Sequence, residues 1–505
     1  MPRMPHALIC SILLATVLQG PTQGPPPGGG GRRPGMAAAD GQPTEATPSI
    51  EIQSSVTHHT LPSGLAYTAT AAQIPIRNEA GDVECRMFYV SYAKDGADAH
   101  SRPVTFAFNG GPGSASLWLH MGALGPKRAP MNDDGSLPAP PYQAIDNADT
   151  WLDFTDVVVI DAPATGFSRL VKPELGPKFF GVRPDIEAFT AFVRTWLTKE
   201  HRWKSPLFIA GESYGGIRGS GLSENLFRSG IAVSGFVSIS GTSNFLTLDN
   251  LRGNDSSYIG FLPSMAAVAW YHHKLSPRFK DAASVVAESQ KWIDEEYAAA
   301  LERGDSLSDS EKDHIAAKLS EYLGLSKQYC RGSNLRIPAG RFFRELLRDQ
   351  GLTIGRYDGR LVGREELTVG DRGSGDPSDD ATTSPFVTSL NGYLEDDLGV
   401  KTDMTYNVFG DVDPWHEEEG TYSETASDLR TLLARNTHFK VLYCCGYFDL
   451  ACPLNATIYT VNHMGLDPDS RSRVSFAYFP AGHMMYIEKV HFSQQYTRNY
   501  MFDII

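Results

Sequence analysis

The pentapeptide Gly211-Glu212-Ser213-Tyr214-Gly215 follows the apolar run Leu207-Phe208-Ile209-Ala210 and is extended by Gly216. A strand that enters a Gly-x-Ser-x-Gly turn and leaves into a helix has the layout of a nucleophile elbow, in which tight geometry lifts a serine hydroxyl clear of a sheet. The flanking glycines permit backbone angles and helix–strand approaches that a side chain would resist. The same letters occur in ordinary glycine-rich turns, so the weight falls on the partners of the serine. A neutral serine is a weak nucleophile and needs a base that is itself held by a third group.

Those partners stand late in the chain. Val441-Leu442-Tyr443-Cys444-Cys445 reads as a buried strand that runs through Gly446-Tyr447-Phe448 into Asp449. Val474-Ser475-Phe476-Ala477-Tyr478-Phe479 reads as another, followed by Pro480-Ala481-Gly482-His483. Open α/β sheets gather their active-site residues just past the carboxyl ends of strands. Serine, then acid, then histidine is also the chain order expected with this elbow. Ser213, Asp449 and His483 are therefore the expected catalytic triad. A fourth element, Asn109-Gly110-Gly111-Pro112-Gly113-Ser114, follows the strand pattern Val104-Thr105-Phe106-Ala107-Phe108. Acyl transfer places negative charge on a carbonyl oxygen, and a glycine-rich loop offers backbone N–H donors to that charge without obstruction.

Together these residues resemble the serine carboxypeptidase family of the α/β-hydrolase superfamily. The resemblance rests on the glycine loop at 109–114, on Asp161-Ala162-Pro163-Ala164-Thr165-Gly166-Phe167-Ser168, and on the elbow at 211–215. Gly446-Tyr447-Phe448-Asp449 and Ala481-Gly482-His483-Met484 complete it, so that the blocks run in order from 104 to 485. The style is closer to the bacterial branch of the family than to its disulfide-rich eukaryotic members. The resemblance implies an α/β fold with a central, mostly parallel sheet and a large helical cap insertion. It implies that Ser213 attacks a peptide carbonyl, His483 takes and returns the proton, and Asp449 orients the imidazole. The N–H groups of Gly111 and Tyr214 would form the oxyanion hole. Asn109, with Gly110 beside it, and Glu212 would bind the terminal carboxylate of a peptide substrate. Two carboxyl groups facing each other raise one pKa, so mildly acidic operation is expected. Family members place a second glutamate two residues before a Gly-Pro, where this chain has Ala123, and often a tryptophan where it has Ala107. The first departure bears on carboxylate recognition and leaves the triad untouched.

The chain has 505 residues, 41% of them hydrophobic, enough for a large core. Its net charge of −14 argues against a nucleic-acid partner, which requires a basic face. At the N-terminus, Arg3 and His6 precede the apolar stretch 7–18, which has signal-peptide length and is too short to span a bilayer. Residues 20–35, with seven glycines and five prolines, read as a linker that cannot pack a core. The expected organisation is a signal peptide over 1–20, a linker over 21–45, core over 46–244, cap over 245–435 and core again over 436–505. Secretion or periplasmic placement follows, with no stable membrane anchor; oligomeric state stays open. After signal removal Cys85, Cys330, Cys444, Cys445 and Cys452 remain, an odd number in which Cys445–Cys452 and Cys85–Cys330 bridges are both conceivable. Cys444 and Cys445 read as small hydrophobes in a core strand.

Strand patterns cover 65–70, 87–92, 104–108, 157–160 and 235–240, and a helix is expected from Asp185 with Ile186, Phe189, Val193, Trp196 and Leu197 on one face. In the cap, Asp281 is expected to cap one helix, and Gly324 to stop another that carries Ile315, Leu319, Tyr322 and Leu323. Asp411 to Glu419 reads as a solvated acidic loop, since its spacing fits no metal-ligand motif. His272 and His273 read as surface residues. The triad chemistry calls for no cofactor. Besides a carboxypeptidase, the residues leave open a related acyl hydrolase or acyltransferase, and a cargo-binding protein that uses the fold without turnover.

Overall fold

The computed structural model describes residues 50–367, 369–370, 375–417 and 422–488. All of them fall in one compact unit, Pro48–Ile505. The signal-peptide and linker readings, and Glu418 and Glu419 of the acidic loop, lie outside the described residues.

A ten-stranded sheet forms the frame. Its strands are β1 (Ser55–Thr60), β2 (Ala66–Arg77), β3 (Val83–Lys94), β4 (Val104–Phe108), β5 (Asp156–Ile160), β6 (Leu207–Glu212), β7 (Gly235–Ile239), β8 (Lys440–Gly446) and β9 (Val474–Phe479), with the short Arg169–Leu170 paired to β3. The spatial order is β1-β2-β3-β5-β4-β6-β7-β8-β9. The pairs from β1 to β5 are antiparallel, and those from β5 through β4 to β9 are parallel. This mostly parallel sheet, flanked by helices, is an α/β-hydrolase fold.

Residue pattern accounts for the arrangement. β4, β5, β6 and β7 are buried at every position, as parallel strands covered on both faces must be. Alternate residues feed opposite cores. Phe106, Phe108 and Ile209 join one cluster with Phe189, Val193 and Trp196, while Ala107, Phe208 and Ala210 join the other with Leu117 and Leu119. β1 instead alternates half-buried and exposed residues at the sheet edge.

Helix α1 (Val182–Lys199) begins three residues before the expected start. Asp185 is consequently an interior residue, and it pairs with Arg218 of α2 (Gly215–Arg228), the helix that leaves the elbow. Between β7 and β8 run α3 (Ser256–Tyr271), α4 (Ala282–Trp292), α5 (Asp309–Leu323), α6 (Pro377–Gly392) and α7 (Ala426–Arg435). Asp281 caps α4 in a reciprocal box with Ser284, and Gly324 ends α5 in a left-handed conformation at φ +66°. The five described cysteines are all buried and unpaired, so neither conceivable bridge forms. No described helix is long and apolar enough to cross a membrane.

His272 departs from its reading as a surface residue: it is half-buried and its Nε2 meets the Gly359 carbonyl at 2.7 Å. In the acidic loop, Asp411 and Asp413 are exposed, but Val412 is buried and Trp415 packs edge-on to Tyr214 at 5.4 Å. The apolar residues between the acids anchor this segment beside the elbow.

Candidate active site

Three loops meet at the carboxyl end of the parallel strands. The first follows β6. Ser213 stands at its tip with φ +62°, a conformation that costs an L-residue energy and persists only where surroundings enforce it. The enforcement is visible: the Ser213 N–H donates to the Ile239 carbonyl at 3.1 Å, and its own carbonyl accepts from Gly216 N–H at 2.8 Å. The second loop leaves β8. Asp449 is fully buried, and its Oδ1 accepts the N–H groups of Ala451 and Cys452 at 2.8 and 2.9 Å. The third leaves β9 and carries His483, whose Nδ1 meets Asp449 Oδ2 at 2.9 Å.

Ser213 and His483 line the same cleft. No hydrogen bond joins them in this structure, as is common where no substrate tightens the site. Burial pulls the His483 pKa down, but the charge and hydrogen bond of Asp449 outweigh it, so the net shift is upward.

The glycine loop after β4 faces the elbow. Gly110 packs against it so closely that a Cβ there would lie 2.4 Å from the Tyr214 nitrogen. Neither the Gly111 nor the Tyr214 N–H donates to a described residue, which leaves both free for an acceptor in the cleft. Asn109 is committed at every polar atom. Its N–H donates to Ser116 Oγ at 3.1 Å, its Oδ1 accepts from Leu119 N–H at 2.9 Å, and its Nδ2 donates to Glu212 Oε1 at 2.9 Å. Its carbonyl accepts from Arg218, which also pairs with Asp185 at 2.7 Å and lies against Phe189 with 4.5 Å to the ring centre. This buried guanidinium ties the glycine loop to α1 and α2.

Glu212 is 2% exposed. Its second oxygen accepts from the Tyr486 hydroxyl at 2.6 Å. Burial lifts its carboxyl from 4.5 to about 7, against the lowering influence of His483 and of these two donors. Ala123 lies buried in a π-helical turn, His120–Leu124, and brings no carboxyl to the cleft.

The Asp161–Ser168 block supports the loop from behind. The Asp161 carboxyl accepts from Ser116 N–H at 2.9 Å and from the Tyr406 hydroxyl at 3.0 Å, and burial raises it to about 6. Sequence reasoning missed Tyr406 and Tyr486, which sit among apolar neighbours without a distinguishing pattern. It also missed the segment Gly355–Gly359. There the Tyr357 carbonyl accepts the His483 N–H at 2.6 Å and the Arg356 carbonyl accepts the Leu450 N–H at 3.1 Å. No group of three or more His, Cys, Asp or Glu among the described residues is placed to hold a metal.

The mostly parallel sheet, the elbow serine and the acid–imidazole pair have the layout of an α/β-hydrolase. Residues 76–237 match the family model for serine carboxypeptidases. The matched stretch takes in the glycine loop at 109–114 and the elbow at 211–215. Among curated relatives, serine carboxypeptidase-like 36 of Arabidopsis thaliana is 28% identical over 157 residues, 31% of this chain and 30% of that protein. Serine-type carboxypeptidase F of Aspergillus niger is 29% identical over 146 residues, 28% of this chain and 24% of that one. The chain thus spans less than a third of the length of the curated relatives it matches. Among solved structures, proline iminopeptidase of Mycobacterium smegmatis aligns at 14% identity with a TM-score of 0.40, covering 86% of this chain and 98% of that one.

Proposed function

We propose that this protein is a secreted serine carboxypeptidase that hydrolyses the C-terminal peptide bond of peptides through an acyl-enzyme on Ser213. The observation that carries the proposal is a single cleft lined by Ser213, His483, Asn109 and Glu212, with Asp449 bonded to the far side of the imidazole. Ser213 Oγ attacks the carbonyl carbon as His483 Nε2 takes its proton. The oxyanion is held by the N–H groups of Gly111 and Tyr214. Collapse breaks the C–N bond, and His483 passes the proton to the departing amine, which leaves as a free amino acid. Water then repeats the sequence, and the acyl group departs as the shortened peptide.

Asn109, Gly110 and Glu212 form the polar floor that meets the terminal carboxylate, with Glu212 in its protonated form. Secretion rests on the apolar stretch at 7–18 and the breaker-rich segment after it. The test uses N-blocked dipeptides, with the released amino acid measured between pH 4 and 8. Release that falls by about a thousandfold or more in Ser213→Ala is the expected result. Absence of release from every dipeptide, with Ser213 still labelled by a fluorophosphonate, would transfer the reading to an ester hydrolase or acyltransferase.

A further inference from the structure

The polar floor of the cleft carries no positive charge. Both Glu212 oxygens already accept hydrogen bonds, from Asn109 and from Tyr486. Both polar atoms of the Asn109 side chain are committed as well. A carboxylate entering this site would leave water for neutral groups, and burying an ion without a counter-charge is costly. Apart from the imidazole of His483, the cleft lining contains one cationic side chain among the described residues, that of Arg356.

Arg356 is built into the site and still available. Its backbone N–H donates to Asp376 Oδ1 at 3.0 Å, and its carbonyl accepts from Leu450 N–H, one residue beyond Asp449. The next residue, Tyr357, holds the His483 N–H and packs its ring 5.3 Å from the imidazole. The root of the side chain is therefore fixed to the same turns that carry the acid and the base. The guanidinium lies against the Tyr357 ring, 5.1 Å from its centre, and interacts with the Tyr357 side chain and with the charge of Asp379 without closing an ion pair to a described residue. Asp379 lines the same cleft, but its carboxylate takes the Thr383 hydroxyl at 3.1 Å and does not come within ion-pair distance of Arg356.

We infer that Arg356 is the carboxylate-binding residue of this cleft, supplying to a substrate carboxylate the positive charge that the Asn109–Glu212 floor lacks. The inference rests on the peptidase reading above. A guanidinium offers paired N–H donors in the geometry of a carboxylate, and such charge-assisted bonds are among the stronger ones. The carboxylate belongs either to the C-terminus of the peptide or to an acidic side chain beside the cleaved bond. The same chemistry serves both.

The experiment compares wild type with Arg356→Met and Arg356→Lys by ratios of kcat/KM. One ratio sets a neutral N-blocked dipeptide against an N-blocked amino-acid methyl ester, which has no carboxylate. The other sets a dipeptide ending in Glu against its Gln counterpart. A fall of about ten- to a hundredfold in the first ratio for Arg356→Met, carried by KM and partly restored in Arg356→Lys, assigns Arg356 to the terminal carboxylate. The same fall confined to the second ratio assigns it to an acidic side chain. Misfolding lowers both members of a ratio and leaves the ratio itself in place. Unchanged ratios in both arms overturn the inference while the peptidase reading stands. A wild type that hydrolyses the ester and no dipeptide overturns both.

Discussion

Glu212 and His483 share the cleft with pKa values displaced in ways that make pH the most direct probe of single residues. Burial lifts Glu212 from 4.5 to about 7, so between those values the folded chain binds a proton that the unfolded chain has released. The stability this group contributes is therefore fully present below pH 4.5 and is lost as pH rises through about 7. Glutamine cannot titrate. Relative to wild type, Glu212→Gln should gain stability as pH increases across that window, read from denaturant midpoints at pH 5 and pH 8. The kinetics carry a matching signature. On the peptidase reading proposed above, an ionised Glu212 would repel a substrate carboxylate, and KM in wild type should climb on the alkaline side of about pH 7. Glu212→Gln should remove that limb of the kcat/KM profile. The acid limb, set by His483, should remain and move to lower pH, because the Glu212 charge is one of the influences that raise the imidazole. The limbs belong to the coupled pair, and an alkaline limb unchanged in the variant would place the titrating group elsewhere.

The elements that hold the site differ in how far sequence alone exposes them. β4 and β5 are readable because they are short, mostly apolar runs, and their bounds coincide with the expected strands to within a residue. β2 and β3 each run for twelve residues, roughly twice the expected length, because Gln73, Pro75 and Arg86 interrupt their apolar pattern while the ladder continues, with Pro75 opposite Arg86. The candidate site residues after β4, β6, β8 and β9 lie in loops whose letters are distinctive on their own. The strap at Gly355–Gly359 has no such letters: it looks like any turn, and its bonds reach residues about a hundred positions later. The Asp161–Ser168 loop is intermediate, a block recognisable by resemblance whose physical reason appears only in three dimensions. Gly166 has φ +50°, and a Cβ there would fall 1.8 Å from Asp161 Oδ2. Gly166→Ala should therefore destabilise the fold by about 2–4 kcal/mol, lowering the denaturant midpoint with an unchanged m-value. Displacing Asp161 from Ser116 and Tyr406 should also slow turnover, since Ser116 Oγ accepts the Asn109 N–H.

At the scale of the whole molecule, a sheet that collects loops from distant parts of the chain at one edge needs a core able to hold them without cross-links. The two clusters on either face of the sheet supply it, and a chain of this size buries most of its apolar surface on folding. The cysteines are buried in this core as free thiols, and Cys452 also hydrogen-bonds the Ser213 side chain. Cys444 and Cys445 lie within β8, Cys85 within β3, and Cys330 in a short helix, Lys327–Gly332, while Cys452 follows the Asp449 turn. Burial raises all five thiols, Cys330 and Cys444 to about 12, so little thiolate exists at neutral pH to react or to exchange. Odd cysteine number and possible export left pairing open from sequence. The structure resolves it through distance and burial, which no spacing rule encodes. Two consequences are measurable on one sample. The thermal unfolding midpoint should be the same with and without dithiothreitol, since no bridge joins the cysteines among the described residues. A disulfide-exchange reagent at neutral pH should leave these thiols unmodified in the native protein and modify all five once denaturant is added. A midpoint that drops under reduction would mean that a pair of these cysteines is oxidised in solution, and that stability rests on a cross-link rather than on the two apolar cores.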